Sequence, residues 1–253
     1  MMKKQTVLVT GASAGFGKEI VYQLIADGYR VIGAARRIDK LRMMESHLGA
    51  EKFLALQMDV SDTKSVDTAL NNLPENWKAI DVLINNAGLA LGLDKAQEAD
   101  FSKWMTMINT NIVGLTYLTH QLLPQMVERN SGMIVNLGST AGTIPYPGGN
   151  IYGATKAFVK QFSLNLRADL AGTKIRVSNI EPGLCEGTEF SSVRFNGDQD
   201  RVNAVYQGAH AIQPIDIAKT VSWILGQPEH VNINRIEIMP VSQSYGPQPV
   251  HRD

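Results

Sequence analysis

Short runs of β-branched and aliphatic residues alternate with longer amphipathic segments along the chain, and no other feature restricts the possible folds as much. Thr6–Thr10, Arg30–Ala35, Phe53–Met58, Val82–Asn85, Met133–Leu137, Lys174–Ile180 and Arg235–Met239 read as strands. Between them Gly17–Ala26, Leu41–Leu48, Thr63–Leu73, Ile151–Leu170 and Ile215–Leu225 read as helices. Phe101–Arg129 holds one long helix or two joined ones. Strands apolar on both faces and separated by helices belong in a parallel sheet covered on both sides. With right-handed crossovers this is an α/β, doubly wound, Rossmann-type sheet of about seven strands. No Pro/Gly/Ser-rich linker divides residues 1–253, so one domain is expected. The longest stretch without a clear element is 182–200, and a loop of that length in a compact domain is usually functional.

Charge and composition exclude several classes. The 24 Lys and Arg balance the 24 Asp and Glu, which leaves no footprint for nucleic acid or an anionic membrane. No apolar run approaches the roughly 20 residues that span a bilayer, and the segment before Gly11 has no signal-peptide core. A cytoplasmic protein is expected. Cys185 is the only cysteine, so neither an internal disulfide nor a Cys-based zinc site can form. His47, His120, His210, His230 and His251 have no ligand spacing, and no metal is expected. Met43, Met44, Met105 and Met107 suit core filling. Trp104, Trp223 and the helix around Tyr117 suit core or subunit contacts.

The first strand runs into Thr10-Gly11-Ala12-Ser13-Ala14-Gly15-Phe16-Gly17. Glycines at a strand-to-helix turn allow close backbone approach, and the helix start offers free N–H groups to a pyrophosphate. In the first β-α unit of such a sheet this is a dinucleotide site. A phosphate P-loop is excluded, because five residues separate Gly11 from Gly17 and Lys18-Glu19 follows. The second strand ends in Arg36-Arg37 with no carboxylate, which points to the 2′-phosphate of NADP rather than the 2′-hydroxyl of NAD. Arg36 and Arg37 are the expected phosphate ligands. The alternative is that one of them, Arg37 first, is only a solvated charge at a helix start.

Tyr152 and Lys156 lie four apart on one helical face. An ammonium one turn away would favour the phenolate and bring a tyrosine, with pKa near ~10, toward use as a base. Ser139 closes the fifth strand, where it would face a ligand crevice and hydrogen-bond a substrate oxygen.

Together these residues resemble the short-chain dehydrogenase/reductase family along nearly the whole chain. The motifs are Thr10-Gly11-x3-Gly15-x-Gly17, Asn85-Asn86-Ala87-Gly88, Asn111, Ser139, Tyr152-x3-Lys156 and Pro182-Gly183. The resemblance implies Tyr152 as general acid/base, Ser139 as substrate polariser, Lys156 as ribose ligand and Asn111 as anchor of a proton relay. It implies coenzyme contacts from Ser13, Phe16, Asp59, Val60, Asn86, Ala87, Gly88, Pro182, Gly183 and Thr188 beside the glycines, Tyr152 and Lys156. It also implies a homotetramer.

Residues 85–92 (NNAGLALG), 138–142 (GSTAG), 182–195 and 239–245 resemble one subgroup more closely. These are the bacterial NADP-dependent 3-hydroxy acid dehydrogenases, which act on serine and L-allo-threonine and reduce malonic semialdehyde. Cys185-Glu186 stands where that subgroup carries smaller or apolar residues. A 3-hydroxy acid needs a cation for its carboxylate, and Arg194 is the candidate; the alternative is an exposed ion pair. The 182–200 loop is expected to fold over the small-molecule substrate and exclude water. Cys185 reads as a small loop residue, since no histidine lies near it. Two other functions remain open. One is reduction of a different small aldehyde or ketone, the other a non-catalytic NADP sensor, against which Ser139, Tyr152 and Lys156 argue. The tail 241–253 could reach a neighbouring subunit.

Overall fold

Residues 5–246 are described by a computed structural model, in which seven strands form one parallel sheet. They are β1 (Thr6–Thr10), β2 (Arg30–Ala35), β3 (Phe53–Gln57), β4 (Val82–Asn85), β5 (Gly132–Leu137), β6 (Ile175–Pro182) and β7 (Arg235–Ile238). Their order is β3-β2-β1-β4-β5-β6-β7, each neighbouring pair parallel. Nine α-helices among the described residues connect them: α1 (Gly15–Ala26), α2 (Ile38–Leu48), α3 (Thr63–Asn71), α4 (Phe101–Ile108), α5 (Leu115–Glu128), α6 (Asn150–Asp169), α7 (Phe190–Arg194), α8 (Gln199–Tyr206) and α9 (Pro214–Leu225).

The period-two pleat divides the core. Val7, Val9, Val31, Ile84 and Val135 face one side, where α1 and α9 cover them with Ile20, Leu24, Ile217 and Val221. Leu8, Ile32, Leu83, Ile134 and Val177 face the other, beneath Val66 of α3, Leu118 and Leu122 of α5 and Leu166 of α6. Burying each such side chain contributes roughly 1.5–3 kcal/mol, so a sheet hydrophobic on both faces is stable only between two helical layers.

Local signals set the element ends. Asp62 and Asp100 cap α3 and α4 by accepting from Lys64 N and Ser102 N. Gln213 and Asp216 form a capping box on α9, with Pro214 in the first turn. The 101–129 segment resolves into α4 and α5, joined by a π-helical turn at Asn109–Gly114.

Two expectations are corrected. The 182–200 segment is not free of structure: it contains all of α7 and the start of α8. Helix α7 has only five residues, too few for a period, and α8 buries none of its residues and so has no apolar stripe. Met44 and Met107 fill the core as expected, but Met43 is 73% exposed and Met105 38% exposed. Neighbours one or two apart on a helix point to different sides, so only one of each pair can face the sheet. Trp104 packs against the cluster of Ala90, Met107 and Tyr152, whereas Trp223 is half exposed. No helix among the described residues is long and apolar enough to cross a membrane.

The chain winds outward in both directions from β1, which lies between β2 and β4. Connections therefore leave the carboxyl ends of β1 and β4 on opposite sides, and a crevice opens there.

Candidate active site

The crevice measures about 1260 Å³ and runs from the glycine turn past Ser139 and Tyr152 to α7. Gly11, Ser13, Gly15 and Phe16 line its floor, Asp59 and Val60 one wall, and Asn86, Ala87 and Gly88 the other. Pro182, Gly183 and Thr188 close it from β6 and the segment beyond. Gly17 lies just behind the lining. A Cβ there would overlap the Gly11 carbonyl oxygen and come within 2.6 Å of Asn86 Nδ2. The turn is thus folded too tightly for any side chain at this position, and α1 starts directly beneath it with its free N–H groups. Asn86 Nδ2 fastens the turn by donating to Thr10 O at 2.8 Å, while Thr10 Oγ1 accepts from Asn86 N and Ala87 N.

At the end of β2 the two arginines have different surroundings. Arg37 donates to Ser13 Oγ at 3.1 Å and pairs with Glu189 at 2.7 Å. Glu189 also receives Lys40 at 3.1 Å, and these cations hold its carboxyl below the usual range. Arg36 lines the same crevice and has no side-chain partner among the described residues. The Glu189 contacts join the segment leading into α7 to the glycine turn, and Thr188 meets Gly15 beside them.

Helix α6 brings Tyr152 and Lys156 together beneath Ser139. Lys156 is buried and donates to Leu137 O at 2.7 Å; its Nζ is 5.9 Å from the Tyr152 ring centroid. Ser139 accepts from Ala141 N at 3.2 Å and donates to Pro182 O at 3.4 Å. Asn111 does not line the crevice but is buried just behind it, in the π-helical turn. Its amide brackets Leu89, accepting from Leu89 N at 3.0 Å and donating to Leu89 O at 2.9 Å, and it also donates to Thr155 Oγ1. A Cβ on Gly88 would lie 3.3 Å from Asn111 Oδ1 and 3.4 Å from Lys156 Nζ, so the three positions meet. π-turns recur at functional sites because they swing one residue out of the regular helical ladder.

The electrostatics differ from the simple one-turn argument. Burial raises the Tyr152 pKa well above the ordinary tyrosine value. A hydrogen bond with Ser139 and the positive charge of Arg194 pull it back; Lys156 is not among the groups that do so. Burial instead pushes Lys156 itself down to about 8. The ammonium thus has no anionic partner among the described residues and faces the crevice.

Arg194 reaches the crevice from α7. Its guanidinium centre is 5.6 Å from the Tyr152 ring centroid, and it makes no ion pair with the described residues. Phe190 of the same helix packs on Tyr152 with ring centroids 5.6 Å apart. Cys185 is half-buried, and burial pushes its thiol up to about 12, far from a reactive thiolate. No group of three His, Cys, Asp or Glu among the described residues could hold a metal ion.

Several lining groups were invisible to local patterns. Glu189 pairs with a residue 152 positions away. The 243–246 segment lines its own crevice, and Gln243 Oε1 accepts from Leu184 N at 2.7 Å. Residues 247–253 of the tail, expected to reach a neighbour, lie outside the described residues.

Residues 5–199 match the family described as short chain dehydrogenase. A probable NADP-dependent dehydrogenase of Haemophilus influenzae is 59% identical over 252 residues, covering 100% of both chains. An NADP-dependent 3-hydroxy acid dehydrogenase of Escherichia coli is 53% identical over 246 residues, 97% of this chain and 99% of that one. A solved closed form of serine dehydrogenase complexed with NADP+ superposes with a TM-score of 0.96 at 52% identity, covering 98% of this chain and 100% of that one.

Proposed function

The chain belongs to the short-chain dehydrogenase family, and from that premise we propose that it is an NADP-dependent oxidoreductase interconverting a small 3-hydroxy acid or β-hydroxy amino acid with its 3-oxo compound. The observation that carries the reading is one crevice with an unpartnered Arg36 at its coenzyme end and Ser139, Tyr152 and Arg194 at the other. Serine, L-allo-threonine and 3-hydroxypropionate are the proposed alcohols, malonic semialdehyde a proposed carbonyl partner.

The residues present fit a dinucleotide. The cradle at Gly11 and Gly17 has no room for a Cβ, and the Lys156 ammonium has no anionic partner among the described residues. Gly11, Ser13, Gly15 and Phe16 would hold the pyrophosphate, and Asp59 and Val60 the adenine. Asn86, Ala87, Gly88, Pro182, Gly183 and Thr188 would flank the rest of the coenzyme. When bound, the coenzyme gives or takes the hydride. Tyr152 takes the hydroxyl proton in oxidation and returns it in reduction. Ser139 orients the substrate oxygen and supports charge on Tyr152. Lys156 holds the ribose, and Asn111 with the Leu89 carbonyl anchors the route by which the proton leaves. Arg194 receives the carboxylate, and its charge lowers the cost of ionising Tyr152.

Arg36, as the unpartnered cation, is the proposed 2′-phosphate ligand, with Arg37 supporting it from its bond to Ser13. A charge-assisted contact contributes about 1.5–3 kcal/mol. Arg36→Ala is therefore expected to weaken NADP about tenfold or more and leave NAD nearly unchanged; coenzyme titrations by fluorescence measure both. Equal losses for the two coenzymes would remove Arg36 from the phosphate. The substrate reading is tested by initial rates on a panel of 3-hydroxy acids, β-hydroxy amino acids and uncharged alcohols, with NADP and with NAD. A preference for uncharged alcohols would overturn it.

We also propose a cytoplasmic homotetramer. Phe101, Met105 and Val113 on α4 and the π-turn, and Phe158 and Leu164 on α6, leave apolar surface exposed. Light scattering after size exclusion gives the mass directly.

A further inference from the structure

Among the described residues the hydroxyl of Tyr146 is the one side-chain hydrogen-bond acceptor of Arg194, and we infer that Tyr146 is a positioning residue that makes the site select carboxylate-bearing substrates. This rests on the reading of Arg194 as carboxylate ligand.

Three contacts define the guanidinium. Its Nε donates to Gly92 O at 3.1 Å, its Nη2 donates to Tyr146 Oη at 2.8 Å, and its central carbon lies 5.4 Å from the Tyr146 ring centroid. The backbone reciprocates, Gly92 N donating to Arg194 O at 3.0 Å. Nη1 has no acceptor among the described residues, and Arg194 lines the crevice beside Tyr152. An arginine with one edge bound to protein and one edge open is preorganised for an anion, since its long side chain has already lost its rotamer freedom.

The local sequence builds the tyrosine's position. Tyr146-Pro147-Gly148-Gly149 is a type II turn, with Gly149 N donating to Tyr146 O at 3.0 Å and Gly148 at φ +76°. Gly at the third position supplies the positive φ that turn needs, and Pro at the second presets the φ before it. The ring then folds back over Gly149, where an added Cβ would lie 2.8 Å from its edge. The turn therefore fixes the hydroxyl at the point where the guanidinium of α7 arrives. Without that hydroxyl, Nη2 has no acceptor among the described residues, and of the two hydrogen bonds only that of Nε remains. A substrate with a carboxylate would feel the change, and an uncharged one of the same shape would not.

The test compares 3-hydroxybutyrate with its methyl ester, each with NADP, in the wild type and in the Tyr146→Phe, Arg194→Ala and doubly substituted proteins. Phenylalanine keeps the ring on Gly149, and NADPH affinity reports that the crevice is intact. Tyr146→Phe is expected to raise KM for the acid about three- to tenfold, the range for losing one hydrogen bond. Its kcat and the ester's KM are expected to stay within about twofold of wild type. In the double variant the tyrosine change should add nothing to the loss from Arg194→Ala. If Arg194→Ala discriminates acid from ester and Tyr146→Phe does not, Tyr146 has no positioning role while the carboxylate reading stands. Equal losses on acid and ester in Tyr146→Phe would also overturn the proposal, because they mark a general shape effect. If Arg194→Ala itself fails to discriminate, the carboxylate reading falls, and with it this one.

Discussion

Tyr152→Phe is expected to lower kcat by about 10²–10⁴, the range that a positioned general acid/base supplies, while NADPH still binds within a few-fold of wild-type affinity. The change removes one oxygen and little else. The ring is buried and packs on Phe190, and phenylalanine keeps that contact. Ser139 loses a partner but retains Pro182 O and Ala141 N, so no orphaned polar group is left to destabilise the sheet end. Rates with the acid and its ester should fall by the same factor, because the proton transfer is common to both. Burial holds the phenol well above its ordinary pKa, so oxidation of the alcohol should accelerate with rising pH until the phenolate forms. The phenylalanine variant should show no such rise. Retention of more than about a tenth of the wild-type kcat would show that another group moves the proton.

The parts legible in the sequence are those whose cause is local. The strands of the sheet follow from short β-branched and aliphatic runs set between amphipathic segments, and the glycine turn from the spacing of Gly11, Gly15 and Gly17. Tyr152 and Lys156 needed only the helical period to be placed on one face. What escaped depends on contacts between distant segments. Glu189 meets Arg37, and Tyr146 meets Arg194 48 positions on; neither pairing leaves a pattern in either segment. Helix α8 has no buried residue and so no periodic stripe to reveal it. The electrostatic setting of Tyr152 escaped for a related reason. Spacing shows that a lysine is near, but burial shows how its charge is valued. Here desolvation dominates both groups and moves them toward their neutral forms.

Lys156→Met is expected to abolish turnover and yet stabilise the coenzyme-free protein near neutral pH. The two effects have one origin. Lys156 is buried, and its pKa falls from the ordinary 10.5 to about 8 through desolvation alone. That drop corresponds to roughly 3 kcal/mol of cost for keeping the charged form folded. Losing the bond to Leu137 O offsets about 1 kcal/mol of the gain, which leaves a net stabilisation of ~2 kcal/mol. In a chain of this length that is a rise in Tm of about 4–8 °C. The sign of the pH dependence follows from proton binding. Below pH 8 folded and unfolded chains both hold the proton, and the full burial cost is present. Between about 8 and 10.5 the unfolded chain holds more protons than the folded one, so wild-type stability rises with pH. The advantage of the methionine variant should therefore be largest at pH 7 and shrink toward pH 10. With saturating NADPH the order should reverse, since the ammonium then has ribose oxygens to bond and ligand binding to the folded state adds to wild-type stability. Paired thermal melts at pH 7 and pH 10, with and without NADPH, separate these cases. A variant less stable than wild type at pH 7 without coenzyme would mean that the ammonium is already compensated inside the protein, and that the crevice does not hold a charge in waiting for its ligand.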